Sequence, residues 1–419
     1  MPTENELQAE KRKRNNDHQF LVDISGAVSK HDRTGVYRVV FNLLQELLKS
    51  PPVGFCIEPV YADASGKLRY ARNHVKQLHE IPHDTSLDPV VTVQTGDVFF
   101  SADLYFPYPF PVLRNLKLQG LRIIFTVHDM IPLSFPQYFM KLSKLGLEEW
   151  LLGATEVADA IVCVSRAVAD ELQSWIHEHP GYRKDSLPIG YFHHGADPVK
   201  HVSISERSDS GLEVLVACKA RLTFLMVGTV APHKGYEQVL AAIGLIWRAG
   251  YDCNLIIVGK EGWRMQAFAD EFDKHPECDR RLFWLKNSDD RLLTDLYTSS
   301  SCLIAASFTE GFGLPLIEAA RHGLPIIARD IPVFREVAGN YAFFFRGISA
   351  VELATSIQDW IGLYVSGNAP SSLQMPWQTW RESAAQLLHV ILDNDWYITD
   401  ATALNYPARK AGLTENAAV

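Results

Sequence analysis

The sequence predicts an α/β protein in two units, each a mostly parallel sheet with helices on its faces. Three observations carry that prediction. From residue 19 onward, short runs rich in Val, Ile, Leu and Phe alternate with helical periodicities, the order that builds parallel strands joined by crossover helices. The alternation weakens between residues 198 and 220, where Ser, Glu and Lys predominate, and this places a boundary near residues 200–218. The turns after several strands carry Gly beside His, Lys or Glu, and open α/β sheets bind ligands at the carboxyl ends of their strands.

Composition narrows the function classes. At 419 residues the chain exceeds one ordinary core, and about 100–200 residues per domain gives two. Apolar residues make up 47%, enough for a large interior. A net charge of −9 argues against nucleic acid as a main partner, which requires a basic face. Cys56, Cys163, Cys218, Cys253, Cys278 and Cys302 are scattered, without C-x-x-C spacing, and mostly inside apolar strand patterns. They read as reduced core residues of a cytoplasmic protein. No run approaches the roughly 18 apolar residues of a membrane span, and no apolar stretch marks a signal peptide at the N-terminus. Residues 1–17, with Lys11-Arg-Lys-Arg14, read as a disordered, solvated tail; weak attraction to an anionic bilayer is the rival reading.

In the first half, residues 20–24 form a short strand and residues 25–34 a loop, after which Gly35 opens a helix. Val36, Val39, Val40, Leu43, Leu44, Leu47 and Leu48 recur at spacings of three and four, so this helix buries one face until Pro51 and Pro52 stop it. Strands follow over residues 55–61 and 98–101. The clearest strand, residues 121–127, ends in His128-Asp129 and brings to the crevice an imidazole able to donate or accept a hydrogen bond. A helix over residues 138–157, a strand over 160–164 and a helix to residue 177 with Ser165 as its N-cap complete the pattern. His193 and His194 adjoin, but no third residue has usable spacing for a metal.

The second half repeats the alternation more cleanly. A strand over residues 221–227 leads through Gly228-Thr-Val-Ala-Pro-His-Lys-Gly235 into a helix ending near residue 247. A Gly-rich turn with Lys at a helix start suits a diphosphate, through backbone N–H groups and one point charge. Strand 254–258 ends at Gly259-Lys260-Glu261-Gly262, and strand 281–285 at Lys286-Asn287-Ser288, with Ser288 expected to cap the next helix. Strand 302–306 ends in the richest turn, Phe308-Thr-Glu-Gly-Phe-Gly-Leu-Pro-Leu-Ile-Glu-Ala319. There Gly311 and Gly313 let the backbone approach a ligand, and a helix over residues 314–322 offers its unpaired N–H groups. Glu310 and Glu318 add carboxylates, so the turn combines donors for phosphate with acceptors for hydroxyls. A strand over 324–328, a helix over 350–365, a break over 366–372 and an amphipathic helix from residue 377, anchored by Trp377 and Trp380, follow. Beyond about residue 398 periodicity is lost and a loose tail is expected.

This Glu-x7-Glu turn, followed by Gly323-Leu-Pro-Ile-Ile-Ala328 and Phe334-Arg-Glu-Val-Ala-Gly339, resembles the signature of the retaining glycosyltransferases of family 4. The resemblance spans roughly residues 19–388 and implies the GT-B fold: two Rossmann-like domains facing across a cleft, with the last helix packing back on the first. It divides the chain into residues 18–205, 206–376 and 377–398, between tails at 1–17 and 399–419. A nucleotide diphosphate sugar is then held mainly by the second domain, through Gly228, Thr229, Lys234, Gly259, Lys260, Asn287, Gly311, Phe312, Gly313, Leu314 and Glu318. Glu310, Lys234 and His128 are the implied catalytic residues: Glu310 near the donor sugar, Lys234 on the diphosphate, His128 beside sugar and acceptor, while Glu318 takes the ribose. Gly35, Asp129 and Ser165 face the acceptor side; for Gly35, Ser165 and Lys260 the plain readings, a helix start, a helix cap and a solvated loop, stay open. The chain also departs from the pattern. His233 stands where many members carry Arg, and Thr229 where some do, which leaves the diphosphate fewer fixed charges. No metal or other cofactor is implied.

Four further segments are similar to mannosyltransferases that build bacterial surface polysaccharides such as O-antigens and exopolysaccharides. They are Arg33-Thr-Gly-Val-Tyr-Arg38, His128-Asp-Met-Ile-Pro-Leu133, Ser165-Arg-Ala-Val-Ala-Asp-Glu-Leu172 and His194-Gly-Ala-Asp197. The resemblance implies transfer of a hexose with retention, GDP-mannose leading as donor, to a hydroxyl of a growing, lipid-linked glycan. Such an acceptor would bring the protein to the inner face of the membrane as a peripheral partner. Rhamnosyl, fucosyl and glucosyl donors stay open, as does a non-catalytic subunit that binds nucleotide sugars. A glycosidase using the two carboxylates is disfavoured by the phosphate nest beside them.

Overall fold

A computed structural model describes residues 17–29, 35–78, 87–104, 108–179, 185–197 and 209–402. The basic stretch Lys11-Arg-Lys-Arg14, the Arg33-Thr34 start of one motif and residues 200–208 of the expected boundary lie outside the described residues. Short strands apolar on both faces need cover on both faces, and here they assemble into two helix-flanked sheets. The first holds β1 (His18–Asp23), β2 (Phe55–Ala62), β3 (Leu68–Tyr70), β4 (Val98–Ser101), β5 (Arg122–Val127), β6 (Ala160–Cys163) and β7 (Ile189–Tyr191). Its order is β3-β2-β1-β4-β5-β6-β7, parallel except where β3 pairs with β2. The second holds β8 (Leu222–Val227), β9 (Cys253–Val258), β10 (Leu282–Leu285), β11 (Cys302–Ala305), β12 (Ile326–Arg329) and β13 (Phe343–Phe345). Its order is β10-β9-β8-β11-β12-β13, parallel throughout.

Both sheets reverse direction once, between β1 and β4 in the first and between β8 and β11 in the second. At such a reversal the following turns diverge and open a crevice. The turns that carry Lys234 and Glu310 follow the two strands that flank the second reversal.

The Gly35–Lys49 helix buries Val39, Val40, Leu43, Leu44 and Leu47 as its periodicity requires. Against it packs the Trp380–Leu392 helix, which crosses from the second domain to the first. Thr379 caps that helix, with Glu382 completing a reciprocal capping box. Trp380 is its anchor at 2% exposed, whereas Trp377 is 41% exposed and anchors nothing.

Several expectations are corrected. Residues 25–29 are a short helix, not loop, because Asp23 takes both the N–H and the hydroxyl of Ser25 at the strand end. The helix expected from residue 138 begins at Lys141; residues Pro136–Tyr138 form one 3-10 turn, and Phe139 is extended so that its ring stacks on His233. The weakly patterned stretch before residue 220 contains a helix, Asp209–Ala220. Its pattern is blurred because Leu212 and Val216 face solvent while Val214 and Cys218 are buried. Asp289, not Ser288, caps the Asp290–Ser299 helix. The chain does not loosen at residue 399. Ile398 exchanges backbone hydrogen bonds with Ile189 of β7, the Ala401 N–H reaches the Leu187 carbonyl, and Ala401 is buried.

All six cysteines are free thiols, with Cys163, Cys218, Cys253 and Cys302 buried. Among the described residues no cluster of three or more His, Cys, Asp or Glu side chains is placed to hold a metal ion. No described helix is long and apolar enough to cross a membrane.

Candidate active site

β8 delivers the chain to Gly228, and the turn closes with a 3-10 segment, Pro232–Lys234. Gly235 then starts the Tyr236–Arg248 helix at φ +74°, and a Cβ there would lie 2.5 Å from the Ala306 carbonyl oxygen. Only glycine fits that conformation and that approach. The two turns are thereby pressed together, and the Lys234 ammonium pairs with the Glu310 carboxylate. Ser307 Oγ donates to the same carboxylate at 2.7 Å. Between the turns lies a small pocket open to solvent, lined by Met226, Lys234, Tyr236, Ser307, Glu310 and Phe334 among others.

Charge in this cleft follows from burial and neighbours. Burial alone would push Glu310 up, but the Lys234 charge and hydrogen bond, with His233 and Ser307 behind them, hold it below its ordinary value. Glu310 is therefore ionised at neutral pH. His233 is pulled down to about 4 by burial and by the adjacent Lys234 charge. It is a neutral imidazole in a three-ring cluster with Phe139 and Trp263, stacked against each while those two also touch, so the position where many family members carry Arg adds no charge here.

Gly313 caps the Leu314–Arg321 helix, with Pro315 in its first turn. One and a half turns in, Glu318 points inward, 6% exposed. Its Oε2 accepts the Tyr297 hydroxyl at 2.6 Å, and its Oε1 accepts Arg38 Nη1 at 2.5 Å. Arg38 comes from the Gly35–Lys49 helix of the other domain, so this pair spans the cleft. Gly35 itself is an exposed helix start at which a Cβ would meet nothing within 4 Å; Arg38 is the residue of that segment that enters the site.

The first domain meets the glutamate turn directly. His128 Nε2 donates to the Ala102 carbonyl at 2.9 Å, which fixes the tautomer. Burial lowers its pKa, so the ring is neutral and its Nδ1 can only accept. Asp129 is pushed up, first by burial, with the Glu310 charge adding to it and Lys234 opposing. A Cβ on Gly311 would lie 2.0 Å from the His128 carbonyl oxygen, so the two backbones touch. Ser165 is a helix cap, its Oγ accepting the Val168 N–H, and the same hydroxyl donates across the cleft to the Gly311 carbonyl at 2.7 Å. Glu336 reaches across from the Pro332–Ala338 helix to accept the N–H groups of Arg166 and Ala167 at 2.7 and 2.8 Å. On the other flank, Trp263 and Arg264 donate to the carbonyls of Tyr138 and Gln137.

Thus Lys234, Glu310, Gly311, Asp129, His128 and Ser165 come together. Phe312 packs instead on His193 and His194, as a wall of the cleft. Thr229, Lys260 and Asn287 are exposed on rims of neighbouring turns and do not line the cavity around Lys234. Sequence reading missed Arg38, Tyr297, Ser307 and Glu336 as site residues. Arg38 and Glu336 stood inside quoted motifs, which was the available signal. It also missed Arg329, buried under the glutamate turn, where it donates to the Ala306 and Gly347 carbonyls and to Gln238. Burial draws Arg329 down to about 10, which leaves it charged.

Comparison with known proteins bears on the family and the fold. Residues 34–181 match Glycosyltransferase Family 4, and residues 214–364 match Glycosyl transferases group 1. A serotype-specific mannosyltransferase WbdA of Escherichia coli is 38% identical over 88% of this chain and 44% of its own length. The O-antigen chain mannosyltransferase RfbU of Salmonella typhimurium is 28% identical over 56% of this chain and 57% of its own. The chain thus spans about half the length of these curated relatives. Two solved structures share the fold alone. Sucrose-phosphate synthase from Thermosynechococcus elongatus superposes with a TM-score of 0.62 at 14% identity, covering 90% of this chain and 99% of its own. Anabaena HepE, solved with UDP and glucose, gives 0.59 at 15% identity over 89% and 99%. By these matches the two halves of the chain are glycosyltransferase domains, matched by the family 4 and group 1 models, that resemble mannosyltransferases over about half the length of those relatives and are arranged in the GT-B fold.

Proposed function

We propose that the chain transfers mannose from GDP-mannose, with retention at the anomeric carbon, to a sugar hydroxyl of a growing O-antigen-type polysaccharide. The observation that carries this reading is the Lys234–Glu310 pair at the reversal point of the second sheet, facing His128 and Asp129 across the Gly311 contact. The donor lies on the domain of about residues 206–376 and the acceptor on that of residues 18–205, with residues 377–398 joining them. Lys234 and the N–H groups opening the Leu314–Arg321 helix stabilise the departing diphosphate, electrostatic catalysis in a site shielded from water. Glu310, kept ionised, orients the sugar and stabilises positive charge developing at its anomeric carbon. Glu318 accepts from the ribose hydroxyls. Neutral His128, with Nδ1 as acceptor, takes a hydrogen bond from a hydroxyl of donor or acceptor sugar. The names of the relatives support mannose and O-antigen. A lipid-linked acceptor would hold the protein at the cytoplasmic face of the membrane.

The test is a donor screen by thermal shift with GDP-, UDP- and dTDP-sugars, since a ligand that binds only the native state raises Tm. It is followed by transfer assays on a mannosylated acceptor, with the product anomer assigned by NMR. The reading expects stabilisation by GDP-mannose, an α-linked product, and loss of turnover by about 10²-fold or more in Glu310→Gln with Tm retained. Stabilisation by UDP or dTDP sugars but not GDP-mannose overturns the donor, stabilisation without transfer to any acceptor favours the non-catalytic subunit, and no response to any nucleotide refutes the reading.

A further inference from the structure

The diphosphate grip of the second domain is short of positive charge. His233 is neutral, Thr229 carries none, and Lys234 is already matched by Glu310. Other guanidinium groups nearby are committed: Arg329 to the Ala306 and Gly347 carbonyls, Arg335 to Asp330, and Arg321 to the Ala196 carbonyl. Arg38 differs from these. It crosses from the first domain and ends on Glu318, with 36% of its side chain exposed against 7% for the carboxylate. Tyr297 secures the other oxygen of Glu318 from within the second domain, so Glu318 has an orienting partner besides Arg38.

We propose that Arg38 is the second cation of the diphosphate grip, held on Glu318 in this structure and turned onto the donor phosphates when ribose hydroxyls take that carboxylate. The inference rests on the reading of Glu318 as the ribose acceptor and Lys234 as the diphosphate contact. Ribose and diphosphate are covalently adjacent, so a long side chain that reaches Glu318 reaches the phosphates by a change of its own rotamers. The planar guanidinium fork matches phosphate oxygens with two parallel hydrogen bonds, which an ammonium does not. Because Arg38 belongs to the first domain, this contact couples nucleotide binding to closure of the cleft.

The test is calorimetric titration of the full chain with GDP at about 50 mM and about 500 mM NaCl, where the screening length differs several-fold. Wild type is compared with Arg38→Gln and Arg38→Lys. Arg38→Gln is expected to weaken GDP binding by about tenfold at low salt, the net of a lost two-bond phosphate contact and of no longer having to release Arg38 from Glu318, with a smaller difference at high salt. Arg38→Lys, which keeps the charge without the fork, falls between. An unchanged GDP affinity in Arg38→Gln overturns the proposal. So does an equal loss at both salt concentrations, which marks a residue acting only through packing. If Arg38→Gln does not fold, Arg38→Lys decides by the same criterion: weaker binding with altered salt dependence supports the proposal, and unchanged binding overturns it. A wild-type chain that binds neither GDP nor, run in parallel, UDP or dTDP refutes the functional reading itself, and the role of Arg38 with it.

Discussion

Gly311→Ala is the sharpest probe of the cleft, because the clash it creates lies between domains. A Cβ on Gly311 would sit 2.0 Å from the His128 carbonyl oxygen and 3.1 Å from its carbon, both backbone atoms that no rotamer can move. Non-bonded heavy atoms settle at roughly 3.5 Å, so the two faces must part by about 1.5 Å. The Ser165 hydroxyl, 2.7 Å from the Gly311 carbonyl, would lose its bond in the same movement. Misplacing reacting groups by about 1 Å lowers rates by on the order of 10²-fold. Overpacking of about 1–3 kcal/mol, applied to the closed arrangement, amounts to a similar factor. Gly311→Ala should therefore lose about 10²-fold in kcat while GDP affinity, supplied mainly by the second domain, falls by no more than the roughly tenfold share of Arg38. Steady-state transfer kinetics and calorimetric titration measure the two quantities. Near-normal turnover would refute the claim that the His128–Gly311 contact is made during catalysis, and a GDP affinity lost in parallel with kcat would locate the damage in the nucleotide site instead.

Other substitutions test the surrounding structure. Asp23 is buried at the end of β1 and its pKa is raised from 3.8 to about 6, mainly by burial. The stability it contributes is fully present below 3.8 and lost as the pH rises through about 6, on the order of 3 kcal/mol. Denaturant unfolding across that window should show this fall in wild type and not in Asp23→Asn; equal profiles would exclude Asp23 as the source. Ser165→Ala removes a helix cap and an inter-domain hydrogen bond, and about 1–2 kcal/mol should be lost in denaturant melts together with a rise in donor KM. An unchanged KM would confine Ser165 to capping. Trp380→Ala should destabilise by about 3–5 kcal/mol if the crossing helix is part of the first domain's core, and an unaltered unfolding midpoint would show that it is not.

Much of the fold could be read in advance because β4, Val98–Ser101, and the Ala350–Val365 helix are local objects, bounded by their own pattern and caps. Lys234, Glu310, Glu318 and His128 were readable for a related reason: each lies on a strand-end turn or the helix that follows it, and topology brings those turns to one crevice. What escaped was set by neighbours far away in the chain. Arg38 and Glu318 are 280 residues apart and meet only across two domains. The neutrality of His233 depends on its burial against Phe139 and Trp263 and on the adjacent Lys234 charge, which a residue name does not disclose. The Asp209–Ala220 helix puts apolar side chains on both faces, so its periodicity was weak, and residues 398–401 owe their order to β7 rather than to any pattern of their own.

That dependence of β7 on residues 398–401 bears on biosynthesis. β7 is the last strand of the first sheet, and Ile398 and Ala401 take up the backbone groups of Ile189 and Leu187 that its edge would otherwise expose. About 200 residues separate the strand from its cover, so at 5–20 residues per second the nascent first domain waits roughly 10–40 s on the ribosome with an open edge. An unpaired edge strand is a template for pairing with other chains. The amino-terminal half expressed by itself should accordingly aggregate, and supplying the carboxyl-terminal crossing segment in trans should restore its solubility.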